Sequence, residues 1–152
     1  MLALREAAAA WLAGRGIRQW EPGEVTLQHI RDQVMAGEWF VVRSGRSVVG
    51  ALRLLWDDEQ AWGRRPPDAA YLHGLVVDRA HAGLGWGRAL LEWAGQQARQ
   101  AGRGQLRLDC NEDNAALRAY YHRQGFKTVG RRDFDGRWYS VVLLHKALDQ
   151  GC

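Results

Sequence analysis

The chain has 152 residues, a length that fits one domain and is too short for two ordinary ones. Apolar residues make up 47% of it and charged residues 25%, which excludes a disordered or fibrous chain and predicts a packed core. The net charge of +4 arises from 21 basic and 17 acidic residues that are interleaved along the chain, so charge alone does not predict a nucleic-acid partner.

The first half of the chain predicts two helices followed by strands. Strong helix formers precede Gly14, and a second set of apolar residues recurs at helical spacing before Gly37. Strand-forming residues then flank Ser44-Gly45-Arg46, as in a hairpin, and an acidic segment with Pro66-Pro67 is typical of a loop. The predicted elements are helices over 4–13 and 26–35, strands over 39–42, 47–56 and 70–77, and a loop over 57–68.

The second half predicts one crossover and a final hairpin. An amphipathic helix with Trp86, Leu90 and Ala94 on one stripe separates two strands, and Asp135-Gly136 is a typical hairpin turn. The predicted elements are helices over 85–101 and 113–124 and strands over 105–110, 126–133 and 138–144. The expected fold is α/β (α+β), a single domain over residues 1–152 with a mixed sheet and helices on both faces.

Two further patterns exclude some classes of protein. No apolar run reaches the roughly 18 to 20 residues that cross a bilayer, and no secretory signal is present, so we expect a cytoplasmic protein without a membrane partner. The two cysteines, Cys110 and Cys152, have no metal-binding or CxxC spacing. We therefore expect neither a disulfide framework nor a metal site.

The segment LVVDRAHAGLGWGRALL, residues 75–91, is the most informative part of the sequence. A buried strand runs through glycines directly into a helix, so backbone N–H groups can approach a ligand and the helix N-terminus favours negative charge. This pattern predicts a site for an anion such as a pyrophosphate, although a tight turn that needs glycine only for geometry has the same spacing. Neither GxGxxG nor a P-loop is present.

A second segment, NEDNAALRAYYHRQGF over residues 111–126, adds the context that favours one family. The two segments together resemble the GNAT superfamily of acetyl-CoA-dependent N-acetyltransferases, whose glycine motif matches residues 82–87. The family's later pattern of asparagine, tyrosine and Gly-Phe matches Asn114, Tyr121 and Gly125-Phe126, and the resemblance covers roughly residues 71–144. It implies a mostly antiparallel sheet with a central splay.

The resemblance also implies a reaction. An acetyl group would pass from acetyl-CoA, the co-substrate, to an amine of a small molecule or peptide by direct attack in a ternary complex, without a metal. The acceptor stays unidentified, and a non-catalytic CoA-binding sensor is the alternative function. A nucleic-acid-binding domain is not expected, and monomer and homodimer are both open.

Two positions depart from the family's pattern. Ala82 stands where a basic or amide side chain usually opens the glycine motif, so phosphate binding is expected to rest on backbone N–H groups, with Arg88 or Arg79 assisting. Family members also usually begin with a strand before the first helix, whereas this chain starts almost inside that helix. We expect either a sheet that lacks the usual first strand or a start codon placed too late.

The resemblance assigns cofactor binding to the strand before the glycine turn and to the turn itself. The N–H groups of Leu75 and Val77 would hold the acetyl carbonyl and the pantetheine arm, and that of Leu75 would act as an oxyanion donor. Asn114 matches a cofactor-contacting asparagine and also fits a helix cap. The complete predicted set is Leu75, Val77, Ala82, Gly83, Leu84, Gly85, Trp86, Gly87, Arg88, Asn114 and Tyr121.

Tyr121 matches the family's tyrosine that protonates the departing thiolate, whereas Tyr120 fits a core position better. The resemblance does not give the general base. His73 is the first candidate, because an extended strand would place it on one face with Tyr71, Leu75 and Val77 and its ordinary pKa suits proton transfer. A histidine hydrogen-bonded within the sheet is the alternative.

Three acidic residues and one cysteine are further candidates for the predicted site. Asp109, Glu38 and Glu21 could serve as the base or as amine-binding carboxylates, and each also fits a structural or solvated acid. Cys110 lies beside the site, but the sequence places no histidine to activate it, which favours direct transfer over an acyl-enzyme.

Overall fold

A computed structural model describes residues 1–134 and 140–149 of the chain. The strands are β1 (Trp39–Ser44), β2 (Ser47–Leu55), β3 (Ala69–Val77), β4 (Gln105–Asn111), β5 (Lys127–Arg132) and β6 (Val141–Ala147). The helices are α1 (Leu2–Ala13), α2 (Leu27–Met35), α3 (Glu59–Trp62), α4 (Trp86–Gln100) and α5 (Ala115–Arg123), with a 3₁₀ turn at Arg79–His81. No helix of these described residues has both the length and the apolarity to cross a bilayer.

The six strands form one sheet in the order β1-β2-β3-β4-β6-β5. Among the described strands, β3 and β4 pair in parallel and all other neighbours pair antiparallel, which confirms the predicted mixed, mostly antiparallel sheet. The two predicted hairpin pairings are also present, β1 with β2 and β5 with β6. The predicted turn at Asp135-Gly136 lies outside the described residues.

One predicted loop, residues 57–68, is wrong in part because it contains α3. Asp58 precedes this short helix, and its Oδ1 accepts a hydrogen bond from the Ala61 N–H at 3.1 Å. Ala61 and Trp62 are buried against the sheet. A capping aspartate and two buried apolar residues are enough for one helical turn in a segment that otherwise carries loop signals. The other predicted elements are present with ends shifted by a few residues.

Helices cover both faces of the sheet, as predicted. The larger core lies between the sheet and the pair α4 and α5, and it includes Leu72, Leu90, Leu108 and Tyr121. Ala61 and Trp62 of α3 pack on the opposite face in a second, smaller core. The hydrophobic stripe of α4 thus faces the sheet, and burying it provides the main apolar stabilisation of this layer.

Buried Arg107 ties β3 to β4 on the second face. Its Nη1 donates to the Tyr71 hydroxyl at 2.9 Å and lies 3.0 Å from Asp68 Oδ1, while its guanidinium lies over the Trp62 ring. A buried arginine is tolerated because its charge is paired and its N–H groups are hydrogen-bonded. The paired part of these two strands is therefore held rigidly just before they separate.

The strands β3 and β4 then diverge, which confirms the predicted splay. Their pairing runs from Ala69 opposite Gln105 to Leu72 opposite Leu108 and stops there, although both strands continue. In the same region β3 bulges against β2, and Gly74 adopts a left-handed φ of +58°. A bulge adds one residue and bends its strand, so it lets β3 stay on β2 while it leaves β4.

Candidate functional site

A cavity of about 650 Å³ lies where β3 and β4 separate. Its wall includes residues 72–77 of β3, Leu108 and Asp109 of β4, and side chains of α1, α2 and α5. Among the predicted site residues, the cavity brings together His73, Leu75, Val77, Asn114 and Tyr121. The glycine turn, residues 82–88, is not part of this wall and follows at the exposed end of β3.

Backbone N–H groups of β3 point into the splay. The Asp78 N–H donates to the Val49 carbonyl of β2 at 2.8 Å, so this group faces away from β4. Because successive N–H groups of a strand alternate in direction, those of Val77 and Leu75 face the side where β4 has departed. This is the arrangement that an oxyanion or amide-binding site on β3 requires.

The glycine turn positions the N-terminus of α4. Gly83 and Gly85 have left-handed φ values of +78° and +85°, which glycine adopts without steric cost. The Ala89 N–H donates to the Gly85 carbonyl at 3.0 Å, so the N–H groups of residues 86–88 precede the first helical hydrogen bond. The Ala82 N–H, by contrast, donates to the Arg79 carbonyl at 3.2 Å.

The two arginines near this turn have other partners. Arg88 is exposed, and its Nε donates to Glu92 Oε1 at 2.7 Å. The Arg79 guanidinium lies 3.8 Å from the centroid of the Trp11 ring of α1. Arg79 also lines the cavity, whereas Arg88 does not.

Gly87 brings α4 close to α5. A Cβ at this position would lie 2.7 Å from the Tyr120 hydroxyl oxygen, a distance that no side chain permits without a shift. Tyr120 is half-buried, packs against the main core and also lines the cavity. The close approach therefore connects the start of α4 to the cavity wall.

Helix α5 begins at Asn114, which caps it. The Asn114 Oδ1 accepts from the Leu117 N–H at 3.1 Å, and its Nδ2 donates to Gln19 Oε1 at 3.5 Å. The predicted cap is confirmed, while contact with a cofactor stays a prediction. Cavity-lining Gln19 comes from the segment after α1, so this cap also anchors that segment.

Tyr121 lies in the core with only its edge toward the cavity. Its side chain is 7% exposed and makes edge contacts with Tyr120 and Phe126, with ring centroids 5.5 Å and 5.7 Å away. Burial, together with the nearby Cys110, Tyr120 and Asp109, raises the pKa of Tyr121 well above its ordinary value. The phenol therefore keeps its proton at neutral pH, as a proton donor must.

The predicted face of His73 is right for Tyr71 and wrong for Leu75 and Val77. Leu75 and Val77 pack against the main core, whereas Tyr71 belongs to the second core on the opposite face. His73 follows Tyr71 by two residues and lies on its face, because the bulge at Gly74 intervenes before Leu75 and reverses the alternation. His73 still lines the cavity, since the splay opens the sheet to both faces.

His73 is held in a cluster with two aspartates. Its Nε2 lies 2.9 Å from Asp58 Oδ2, and donor atoms of His73, Asp58 and Asp109 all lie within 4.8 Å of one another. Burial alone would lower the pKa of His73, but the hydrogen bond with Asp58 and the charges of both aspartates outweigh it and raise the pKa. Because divalent cations use such donors, the expectation of no metal stays a prediction.

The pKa values of Asp58 and Asp109 shift in opposite directions. Burial would raise the pKa of Asp58, but hydrogen bonds from His73 and the Ala61 N–H, with the charge of His73, lower it instead. Burial and the charge of Asp58 raise the pKa of Asp109, against the opposing effect of His73. Asp58 is thus a fixed anion beside the imidazole, while Asp109 is the carboxylate whose charge is least compensated.

The remaining candidates are not in the cavity wall. Glu38 forms an ion pair with Arg53, Oε2 to Nη2 at 2.6 Å, and Glu21 is exposed on the segment after α1. Cys110 is buried, and desolvation with the charge of Asp109 raises the pKa of its thiol to about 12. A thiol of that pKa carries almost no thiolate at neutral pH, so Cys110 is unsuited to act as a nucleophile.

Two positions of the candidate site, Gly74 and Asp58, are not among the residues predicted from the sequence. A glycine inside a strand pattern is a signal for a bulge, and Gly74 lies inside the predicted strand over residues 70–77. The sequence around Asp58 is typical of a helix cap, but no sequence signal indicates the contact of Asp58 with His73. Three tryptophans, Trp11, Trp20 and Trp39, line the cavity.

Comparison with known proteins gives matches to acetyltransferases. The model of the acetyltransferase (GNAT) family matches residues 5–126. An uncharacterized N-acetyltransferase of Bacillus subtilis, YesJ, is 34% identical over 131 residues, which cover 80% of this chain and 72% of that protein.

Two solved structures share the fold. A GNAT-family acetyltransferase from Listeria monocytogenes superposes with a TM-score of 0.76 at 26% identity, covering 96% of this chain and 86% of the other. The acetyltransferase yncA from Salmonella typhimurium, solved with its cofactor acetyl-CoA, has a TM-score of 0.66 at 20% identity and covers 97% and 92%. At that identity the second likeness concerns the fold alone.

Proposed function

The chain belongs to the GNAT family of acetyltransferases, and we propose that it transfers an acetyl group from acetyl-CoA to an amine of a small molecule or peptide. The observation that carries the proposal is the divergence of β3 and β4. It opens a cavity in which backbone donors of β3, the Tyr121 phenol and the His73 imidazole are all accessible from one space. Such a space suits an acyl transfer that needs an oxyanion donor, an acid and a base together.

The residues present fit acetyl-CoA at two points. The N–H groups of residues 86–88 at the start of α4 form an anion site for the pyrophosphate, and the separated strands leave room and hydrogen-bond donors for the pantetheine arm. Ala82 contributes no charge, so the backbone N–H groups carry phosphate binding. Acetyl-CoA supplies the acetyl group as a thioester when bound.

The N–H of Leu75 is the proposed oxyanion donor. Its direction into the splay follows from the hydrogen bonding of β3 to β2, and it is fixed before any ligand arrives. A fixed donor at a developing negative charge is worth about 3 kcal/mol of the barrier. Tyr121 is the proposed acid, because its phenol is protonated and reaches the same cavity.

His73 is the proposed base. With Nε2 held by Asp58, its Nδ1 is the ring nitrogen left to take a proton from the acceptor amine. Asp58 also caps α3, so both ends of this contact are fixed by the fold. Direct attack by the amine is favoured over an acyl-enzyme because the Cys110 thiol is buried and protonated.

Two measurements test the proposal. Calorimetric titration should show acetyl-CoA binding that ATP and NADH do not reproduce, and an amine panel should then give CoA release. Tyr121→Phe is expected to reduce kcat about 100-fold or more while leaving acetyl-CoA affinity unchanged, because it removes a proton donor without removing the ring.

The matched control is Tyr120→Phe, which removes the neighbouring hydroxyl on the same helix and should retain most of the turnover. Equal turnover in Tyr121→Phe and wild type would exclude Tyr121 as the acid. Acetyl-CoA binding without CoA release across the whole panel would favour a CoA-binding sensor, the alternative that Ala82 supports.

A further inference from the structure

Asp109 occupies a defined place at the base of the splay. Leu72 and Leu108 are the last paired residues of β3 and β4, so His73 and Asp109 are the first residue of each strand after the pairing ends. Two residues earlier, Tyr71 and Arg107 are hydrogen-bonded to each other on the second face. Strand alternation therefore places His73 and Asp109 on that same face, directly across the opening.

Two of the arginines that line this cavity already have carboxylate partners, and a third, Arg79, lies over the Trp11 ring. Arg5 pairs with Glu24 at 2.9 Å, and Arg53 pairs with Glu38 at 2.6 Å. The His73 imidazole is hydrogen-bonded to Asp58. Across the described residues, Asp109 is the carboxylate of the cavity wall with no ion pair of its own.

An unpaired carboxylate in such a place is costly without a ligand. Desolvation raises the pKa of Asp109, which means that its charged form lacks the stabilisation that water or a cation would give. An ammonium group entering the cavity would provide that cation. The ring of Trp39, which also lines the cavity, contacts Gly74 next to His73 and contributes an apolar wall beside this carboxylate.

We infer that Asp109 binds the ammonium group of the acceptor, which enters the cavity positively charged. This inference rests on the proposed function and adds the residue that binds the acceptor nitrogen. Arylamines, which are neutral in water near pH 7, gain nothing from the carboxylate. The reacting nitrogen is held between Asp109 and His73, so the same contact that selects it also brings it to the base.

The test uses the full chain and the variant Asp109→Asn, which keeps the shape of the side chain and removes its charge. The matched control is Asp57→Asn, an exposed aspartate next to Asp58 that does not line the cavity. The acceptors are benzylamine, 1,5-diaminopentane and a tripeptide with a free alanine amino terminus. Aniline is the neutral counterpart of benzylamine.

Three quantities are measured: acetyl-CoA affinity by calorimetry, and KM and kcat for each amine from CoA release. We expect Asp109→Asn to raise KM for the charged acceptors about tenfold or more, the usual effect of losing one hydrogen bond to a charged group. The KM for aniline and the affinity for acetyl-CoA should change less than about twofold, and Asp57→Asn should match wild type. EDTA is present throughout, because the cluster is also a set of metal donors.

The outcomes separate the two proposals. A wild-type protein that does not bind acetyl-CoA would overturn the proposed function itself. Acetyl-CoA binding without CoA release from any acceptor would favour the CoA-binding sensor and so overturn the proposed function as well. Turnover of the charged acceptors with an unchanged KM in Asp109→Asn would overturn only the assignment of Asp109. An equal rise of KM for aniline would also overturn it, because a neutral amine cannot report the loss of an ammonium contact.

Discussion

The contact between Asp58 and His73 shows how one residue outside the recognised motifs can tune the site. Asp58 uses one carboxylate oxygen to cap α3 and the other to hold the imidazole. This contact and the charge of Asp109 raise the pKa of His73 against the effect of burial. A stronger base results, but it is free to accept a proton only at higher pH.

The pH dependence of turnover follows from that shift. If His73 is the base, kcat/KM should rise with pH through a pKa above 6.5, because only the neutral imidazole accepts a proton. Asp58→Asn should move this rising limb to lower pH, since the amide still caps α3 but no longer stabilises the imidazolium. A pH profile of kcat/KM for both proteins measures the shift.

Asp57→Asn again provides the control and should leave the profile in place. A rising limb at the same pH in wild type and Asp58→Asn would show that His73 is not the titrating base. A general loss of activity without a shift would exclude His73 in the same way and would indicate that Asp58 supports activity only through α3.

At the scale of the element, the bulge in β3 decides which side chains reach the cavity. Gly74 has a left-handed φ of +58°, and a Cβ there would lie 2.5 Å from Cη2 of Trp39. Glycine is therefore required for two reasons, the backbone conformation and the close approach of the ring. A regular strand in its place would put His73 on the face of Leu75.

Gly74→Ala should destabilise the protein by about 2–5 kcal/mol, as a left-handed alanine costs about 1–2 kcal/mol and the clash adds about 1–3 kcal/mol. Gly102→Ala is the matched control, because Gly102 has a φ of +72° and open space around its Cβ position. Urea unfolding measures both free energies. Equal losses in the two variants would mean that Trp39 moves aside without cost.

At the scale of the whole molecule, the splay joins two faces of the sheet that are otherwise separate. Tyr121 and Leu75 belong to the face covered by α4 and α5, whereas His73 and Asp109 lie on the face of α3. One cavity reaches all four because β3 and β4 part at Leu72. The proposed acid and the proposed base would thus approach a bound substrate from opposite sides of one sheet.

Filling this cavity should stabilise the entire fold. Acetyl-CoA at 100 times its Kd adds about 2.7 kcal/mol to the free energy of unfolding, which for a chain of this size raises Tm by about 5–10 °C. A thermal-unfolding series at increasing acetyl-CoA measures the rise. ATP, which has the adenine and phosphates but no pantetheine arm, should give a much smaller change; equal shifts would place binding outside the splay.

The sequence by itself determined what depends on local patterns. Hydrophobic periodicity and glycine positions were enough for the order of helices and strands, and the spacing of Asn114 and Tyr121 to Gly125-Phe126 identified the family. These features could be predicted because each depends on residues that lie close together in the sequence. The cap at Asn114 and the left-handed turn at Gly83 were predictable for the same reason.

Only the tertiary structure decided the arrangement of the acceptor side. One extra residue at Gly74 reverses which face His73 occupies relative to Leu75 and Val77. The alternation of apolar and polar residues in a strand does not reveal where a bulge inserts that extra residue. Asp58, His73 and Asp109 come from three separate elements, so their contacts depend on strand register and on the packing of α3. The electrostatics of the site follow from those long-range contacts, and local sequence does not encode them.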